Sequence, residues 1–287
     1  MCFGNSWEMM SFYIRVTTSY DYRAPISENG DITDTYKAIR TFIQNLTDWN
    51  YPPQDIPANN PMANYGTVQL QRVGTGLIST LNQILEACHS SNYPMSFEDI
   101  NHGYGFVLYT TTLGASGKTL STPNIRDFGY VFLNNVYQGM LNRDASKSVS
   151  LNNANSGDVL RILVENGGRQ AYSIIEDYKS LFNATLDGNI LQNWIQCGVN
   201  LTESSVNSLT GQFLRREFEE EGAQLATSQP GVFVGQFSAS VLQDTFFDST
   251  GLGKGQLFIN GFNLGRYWPG AGPQASMSSL FLSQTLF

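Results

Sequence analysis

The chain has 287 residues, of which 41% are hydrophobic, 13% aromatic and only 14% charged, with 27 glycines. That length allows one large domain or two to three smaller ones, and a composition rich in aromatics and turn formers suits β-sandwiches better than helical bundles. A formal net charge of −8 offers no basic surface to neutralise phosphates, so a nucleic-acid partner is not expected, while an acidic compartment is compatible with it.

Residues 1–15 have no cationic start and no unbroken apolar core, and Glu8 sits inside them. They read neither as a signal peptide nor as a membrane span. Cys2, Cys88 and Cys197 form no metal-like spacing and allow at most one bridge; unpaired or buried thiols are the favoured reading.

Val16 to Leu46 forms the first coherent unit, a loop punctuated by Pro25 and Gly30 and then a helix. Asp31 or Thr33 can cap the first turn, and Asp34 suits the positive end of the helix dipole. Ile32, Tyr36, Ile39, Ile43 and Leu46 recur at spacings of one helical face, with Lys37, Arg40 and Gln44 off it. Such a stripe cannot bury itself, so the unit needs a further partner. Residues 47–63 carry Pro52, Pro53, Pro57 and Pro61 and read as an extended, semi-rigid linker.

From Tyr65 short strands dominate. Thr67 to Val73 alternates, Gly105 to Thr112 is aromatic and β-branched, and Asp158 to Val164 is the strongest strand. Gly76 to Cys88 and Ser173 to Phe182 are the stretches that could be helical. Gln256 to Gly265 alternates into Asn260-Gly261, the dipeptide best able to take positive φ at both positions of a tight hairpin. Tyr130 to Gly139 follows the same plan: aromatic strand, Asn-x turn, short return, glycine. The echo predicts two related sandwich units, 64–183 and 184–287. In the second, the strand after Gln274 is not evident in residues 275–287, and a sandwich without closing strands exposes an edge and an apolar face.

Few residues suggest chemistry. His89 and His102 have no ligand spacing, and no phosphate loop or nucleophile elbow occurs. Glu219-Glu220-Glu221 beside Arg215-Arg216 reads as a solvated face, and Asp31 and Asp34 as helix-start residues. Asp21, Glu28, Glu98, Asp99 and Glu165 complete the carboxylates weighed. Arg266, Tyr267 and Trp268 could stack on a sugar, but bracing the hairpin against the neighbouring domain is favoured.

Two stretches carry a resemblance. Gly255 to Gln274, GQLFINGFNLGRYWPGAGPQ, closely resembles the C-terminal β-domain signature of animal β-galactosidases of glycoside hydrolase family 35. Thr18 to Arg40, TSYDYRAPISENGDITDTYKAIR, is similar to the family segment leading from the last loop of its (β/α)8 barrel into the last barrel helix, although an acidic residue is usual where Arg23 stands. Leu163 to Arg169 matches a family motif of the first sandwich, and the likeness runs from about Val16 to Gln274. The resemblance implies a mainly β fold: a remnant of the end of the barrel (1–46), the linker, and two jelly-roll or galactose-binding-like sandwich domains, the last incomplete.

It further implies hydrolysis of terminal β-D-galactose by a retaining, two-carboxylate mechanism without metal or other cofactor. The two carboxyl groups of such sites lie about 5 to 5.5 Å apart. No motif like either catalytic glutamate occurs here, so no catalytic residue is assigned and the chain is expected to be inactive alone. Tyr22 matches a position whose hydroxyl lines the galactose pocket, a task suited to a phenol. Asn45, Asn183 and Asn200 head N-glycosylation triplets, and with the resemblance they point to a lysosomal or extracellular parent, a homodimer acting on β-galactoside glycans. Two other readings stand beside this one: a non-catalytic carbohydrate-binding or interaction module, and an incompletely joined coding sequence.

Overall fold

The computed structural model describes residues 5–9, 12–16, 23–27, 29–48, 50–51, 54–169, 176–211 and 229–269. The chain starts with an antiparallel hairpin, β1 (Asn5–Met9) and β2 (Phe12–Val16). Helix α1 (Asp34–Gln44) follows, capped by Thr33, whose Oγ1 accepts from the Tyr36 amide at 3.4 Å. Asp31 instead takes part in the preceding loop, accepting from Asn29 Nδ2 at 2.6 Å. No residue of α1 is buried, and Phe42 on its apolar side is 66% exposed. Of the stripe, Ile32, Tyr36 and Ile43 are half-buried and Ile39 and Leu46 are exposed, so its cover among the described residues is incomplete.

Next come β3 (Gln71–Arg72) and the short helix α2 (Leu77–Leu81), continued by one 3₁₀ turn at Asn82–Ile84. The chain then turns extended as β4 (Leu85–Ser91). The helix expected over Gly76 to Cys88 is therefore corrected to its first half. Strands β5 (Phe106–Thr112), β6 (Gly117–Ser121), β7 (Asn124–Arg126), β8 (Phe128–Leu133), β9 (Val136–Asn142), β10 (Ser148–Ala154) and β11 (Val159–Glu165) run in succession. After them β12 (Ser180–Phe182), β13 (Thr185–Leu186), β14 (Asn189–Ile190) and β15 (Trp194–Val199) precede helix α3 (Glu203–Thr210). The second expected helix is also corrected, since Ser180 to Phe182 pairs with β7 and residues 173–175 lie outside the described residues. In both cases long-range pairing overrides a weak local preference.

These strands form a sandwich. A six-stranded sheet, in the order β4-β15-β5-β11-β8-β9, faces a four-stranded one, β10-β6-β13-β14. Strand alternation explains the two cores. Val107 and Tyr109, Val131 and Leu133, and Leu160, Ile162 and Val164 point into the space between the sheets, where Leu120, Leu151, Leu186 and Trp194 meet them. The intervening Leu108, Phe132 and Leu163 point the other way and are covered by Ile78, Leu81 and Ile84 near α2 and by Leu209 of α3. Pairing within the six-stranded sheet runs through Val199. The chain is mainly β, and no described helix is long and apolar enough to cross a membrane.

Cysteine pairing differs from the favoured reading. Cys88 of β4 and Cys197 of β15 are direct cross-strand partners with Cα atoms 4.3 Å apart, and they form a disulfide. Adjacent strands supply the short Cβ separation that a bridge requires. Cys2 lies outside the described residues.

The last part of the chain contains β16 (Phe233–Val234), β17 (Gly255–Ile259) and β18 (Phe262–Tyr267). β16 pairs with β3. Nearby, the Tyr65 hydroxyl donates to the Val241 carbonyl at 2.6 Å, and the Ala63 amide donates to the Asp244 carbonyl at 2.9 Å. The end of the linker and the residues just after it are thus bound along the C-terminal segment.

The sequence echo is a geometric one. Asn134-Asn135 and Asn260-Gly261 take φ values of 48° and 68°, and of 49° and 80°, positive at both turn positions in each hairpin. Both hairpins then slip by one residue: Val131 faces Gly139 and Phe132 faces Tyr137, just as Leu257 faces Gly265 and Phe258 faces Asn263. Gln138 and Leu264 are the extra residues of two matching bulges, each followed by a glycine at positive φ.

Candidate functional site: the junction of the two β-rich units

Asp127 stands between β7 and β8, after a cis peptide bond with Arg126. Its Oδ2 accepts from the Gly167 amide at 2.7 Å and from Lys179 Nζ at 2.9 Å. Its Oδ1 accepts from Arg143 Nη1 at 3.1 Å. Asp177 takes Lys179 Nζ at 2.6 Å and Arg143 Nη1 at 3.0 Å, and Arg126 Nη1 lies 3.7 Å from it. Lys179 is fully buried. A side chain at position 167 would press on the Asp127 carboxylate, with an added Cβ 3.0 Å from Oδ2, which explains a glycine there.

Two carboxylates so arranged resemble a catalytic pair only superficially. Each is tied to Lys179 and Arg143, and both side chains are 1% exposed. A glycosidic oxygen has no access to either. The cluster is a closed charge network that satisfies its members, as buried charges require.

A second cluster joins the sandwich to the C-terminal hairpin. Glu165, the last residue of β11, receives Lys254 Nζ on Oε2 at 2.7 Å. Arg266 Nε lies 2.9 Å from Oε1, an ion-pair contact off the angle of an aligned hydrogen bond. Arg266 spends its other donors on main chain: Nη2 on the Asn166 carbonyl at 2.8 Å and Nη1 on that of Gly167 at 3.2 Å. Lys254 Nζ sits 3.3 Å from the Phe128 ring centroid and 4.4 Å from that of Trp268, and the two rings meet edge to face. The Tyr130 hydroxyl donates to Glu165 Oε2 at 3.1 Å. Burial, and then the adjacent carboxylate, push that phenol well above the ordinary tyrosine range.

Gly167 links the clusters, since its amide serves Asp127 and its carbonyl serves Arg266. Arg266 and Trp268 therefore brace the hairpin on the first unit, the favoured sequence reading. Tyr267 lies against Phe247, ring centroids 5.6 Å apart.

The other candidates are dispersed. Tyr22, Asp21, Glu28 and Glu219 to Glu221 lie outside the described residues. Glu98 pairs with Arg169. Asp99 and Ser96 exchange hydrogen bonds between each one's side chain and the other's amide, a loop-shaping role. His102 is buried with Nδ1 3.0 Å from Glu86 Oε2, and His89 is exposed on β4. Asn45 is exposed after α1, and Asn183 is exposed at a left-handed turn between β12 and β13. Asn200 is half-buried, and its Oδ1 accepts from the Thr202 amide at 3.0 Å. Sequence reasoning missed Asp127, Arg143, Asp177, Lys179 and Lys254. The one local signal was the Asp177-Tyr178-Lys179 alternation, which sends both charges to the same side of an extended chain.

Comparison with known proteins agrees with this architecture. Residues 94–200 match the model described as "Beta-galactosidase, first all-beta domain", and residues 230–283 match "Beta-galactosidase, galactose-binding domain". The second match runs past Gln274, correcting the expected end of the likeness. The β-galactosidase of Macaca fascicularis is 39% identical and that of Homo sapiens 38%, each across 92% of this chain and 41% of the relative. Beta-galactosidase 8 of Oryza sativa subsp. japonica is 31% identical across 96% of this chain and 46% of the relative. The chain thus spans about two fifths of the length of the animal relatives it matches. With both β-rich units matched to domains of one enzyme and locked together by Glu165, Lys254 and Arg266, the chain belongs to the β-galactosidase family.

Proposed function

We propose that this chain is the supporting β-rich part of a glycoside hydrolase family 35 β-galactosidase. It holds the end of the barrel against the sandwiches and does not itself cleave the glycosidic bond. In this reading the reaction is the retaining hydrolysis of terminal non-reducing β-D-galactose from glycans. One carboxyl group acts as acid and base and a second as nucleophile, without metal or other cofactor.

The observation that carries the proposal is the fate of the sandwich carboxylates. Asp127, Asp177 and Glu165 are each closed off by cations and buried to within a few per cent. A general acid needs reach to the leaving oxygen, and these buried, ion-paired groups have none. They suit a rigid support. The incompletely covered apolar side of α1 fits a helix made to pack on a barrel. Tyr22 is the residue of this chain we assign to the galactose pocket. We assign glycans to Asn45 and Asn183, whose exposed positions suit them, and to Asn200. Such glycans place the parent in the lysosome or outside the cell, where a homodimer is proposed.

The test is an assay of the purified chain, free of host enzyme, on a chromogenic β-galactoside. No release above background is expected. Steady release, abolished by a galactose-type inhibitor, would overturn the assignment of a support.

A further inference from the structure

Away from the junction, the first sandwich presents two tyrosines around a fixed ion pair. Tyr104 is 62% exposed and Tyr178 47%, in a unit whose Tyr109, Phe97 and Trp194 are fully buried. Arg169 stands between them. Its Nη2 donates to the carbonyl of Gly103 at 3.2 Å and its Nη1 to that of Asp177 at 3.1 Å, each one residue before a tyrosine. Nη1 also pairs with Glu98 Oε1, and Glu98 Oε2 accepts the Lys179 amide at 3.1 Å. The side chains of Arg169 and Glu98 keep 38% and 26% of their surface open. The Tyr104 ring rests nearly parallel to His102, at 20° and 6.2 Å between centroids.

Arg169, Glu98 and Tyr104 are thus held before any ligand arrives, which lowers the ordering cost of binding. The chemistry is also selective. A phosphate would meet Glu98 paired with Arg169, the cation of the patch among the described residues, which argues against nucleic acid. A purely apolar partner would have to bury a guanidinium and a carboxylate that still face water. A pyranose ring fits both demands: its C–H face packs on a tyrosine ring, and its hydroxyls accept from a guanidinium and donate to a carboxylate.

The geometry points to a shallow binding surface for neutral hexopyranosides at Tyr104, Tyr178, Arg169 and Glu98, with β-galactosides the favoured sugars. Only the choice of galactose rests on the function proposed above. Saturation-transfer NMR on the full chain with methyl β-D-galactopyranoside and methyl β-D-glucopyranoside tests it. Transfer to ring protons is expected at millimolar sugar, weakened about tenfold or more, roughly 1.4 kcal/mol, in Tyr104→Ala and Tyr178→Ala with thermal midpoints unchanged. Arg169→Lys, which keeps the charge but loses the two-carbonyl hold, weakens binding too. Transfer to the glucoside alone would keep the surface and overturn the galactose choice, without bearing on the hydrolysis assay. No transfer with either sugar, or transfer indifferent to all three variants, would overturn the surface and leave the tyrosines to contacts with other protein.

Discussion

Lys254 reaches back 89 residues to place its ammonium 2.7 Å from a carboxylate oxygen of Glu165. It does so with only 10% of its side chain exposed, against 4% for Glu165. The strand that runs through the middle of the sandwich therefore ends in the charge that holds the C-terminal hairpin. The two family-matched units share this anchor, and Arg266 completes it.

The anchor can be tested by removing its centre. Glu165→Ala removes the carboxylate that Lys254 and Arg266 share, and breaking a buried pair this way costs about 3–5 kcal/mol. Lys254→Met is expected to cost less, because Arg266 still neutralises Glu165 and the methionine still packs on Phe128 and Trp268. Urea unfolding of the single and double variants gives the coupling. Additive losses would show that the three side chains do not act together.

Lys179 offers a separate test within the first unit. It is fully buried and donates to both Asp127 and Asp177. Lys179→Met removes one of the cations that hold these carboxylates, so a loss of about 3–5 kcal/mol is expected. Adding Asp177→Asn should recover part of it. If the double variant is no more stable than Lys179→Met, the loss is one of packing and not of charge balance.

The disulfide gives a prediction that differs from the sequence reading. With Cys88 and Cys197 bridged, the unreduced, denatured protein should present one reactive thiol of its three cysteines. The bridge closes a sequence separation of 109 residues, and loss of such a bridge typically costs about 2–5 kcal/mol. Reductant should lower the urea midpoint of the wild type but not that of Cys88→Ser/Cys197→Ser. Three reactive thiols without reductant would refute the bridge.

The hairpins were legible because their signals are local. Asn-x turns, alternation and a closing glycine each act within ten residues, and both copies fold as their shared pattern predicts. The strand β4 was not, since Leu85 to Ser91 carries no β-branched residue and becomes extended by pairing with β15. The charge clusters were equally hidden. Asp127, Arg143, Asp177 and Lys179 are scattered over some fifty positions, and in sequence each looks like an ordinary surface charge. Only the fold makes Asp127 face Lys179. Arg266 and Trp268 were read as a brace because a cation and aromatics beside a proline suit a contact better than a plain strand end.

The acid limb of stability has its own signature. Asp187 accepts from the amides of Lys118 at 2.9 Å and Thr119 at 2.8 Å, and these bonds hold its carboxyl below the ordinary aspartate range. Asp158 is lowered too, first by the side chain of Asn134 and then by the Asn155 amide. A folded-state value below the unfolded one adds stability that is complete above the unfolded value, about 3.9, and is lost as pH falls through the folded value. Stability should therefore be flat in this respect at neutral pH and decline below about pH 4. Asp187→Asn should be less stable than wild type at neutral pH, and the gap should close in acid. Urea midpoints measured across that range decide it. A gap that stays constant with pH would mean that the ionised carboxylate contributes no more than the protonated acid.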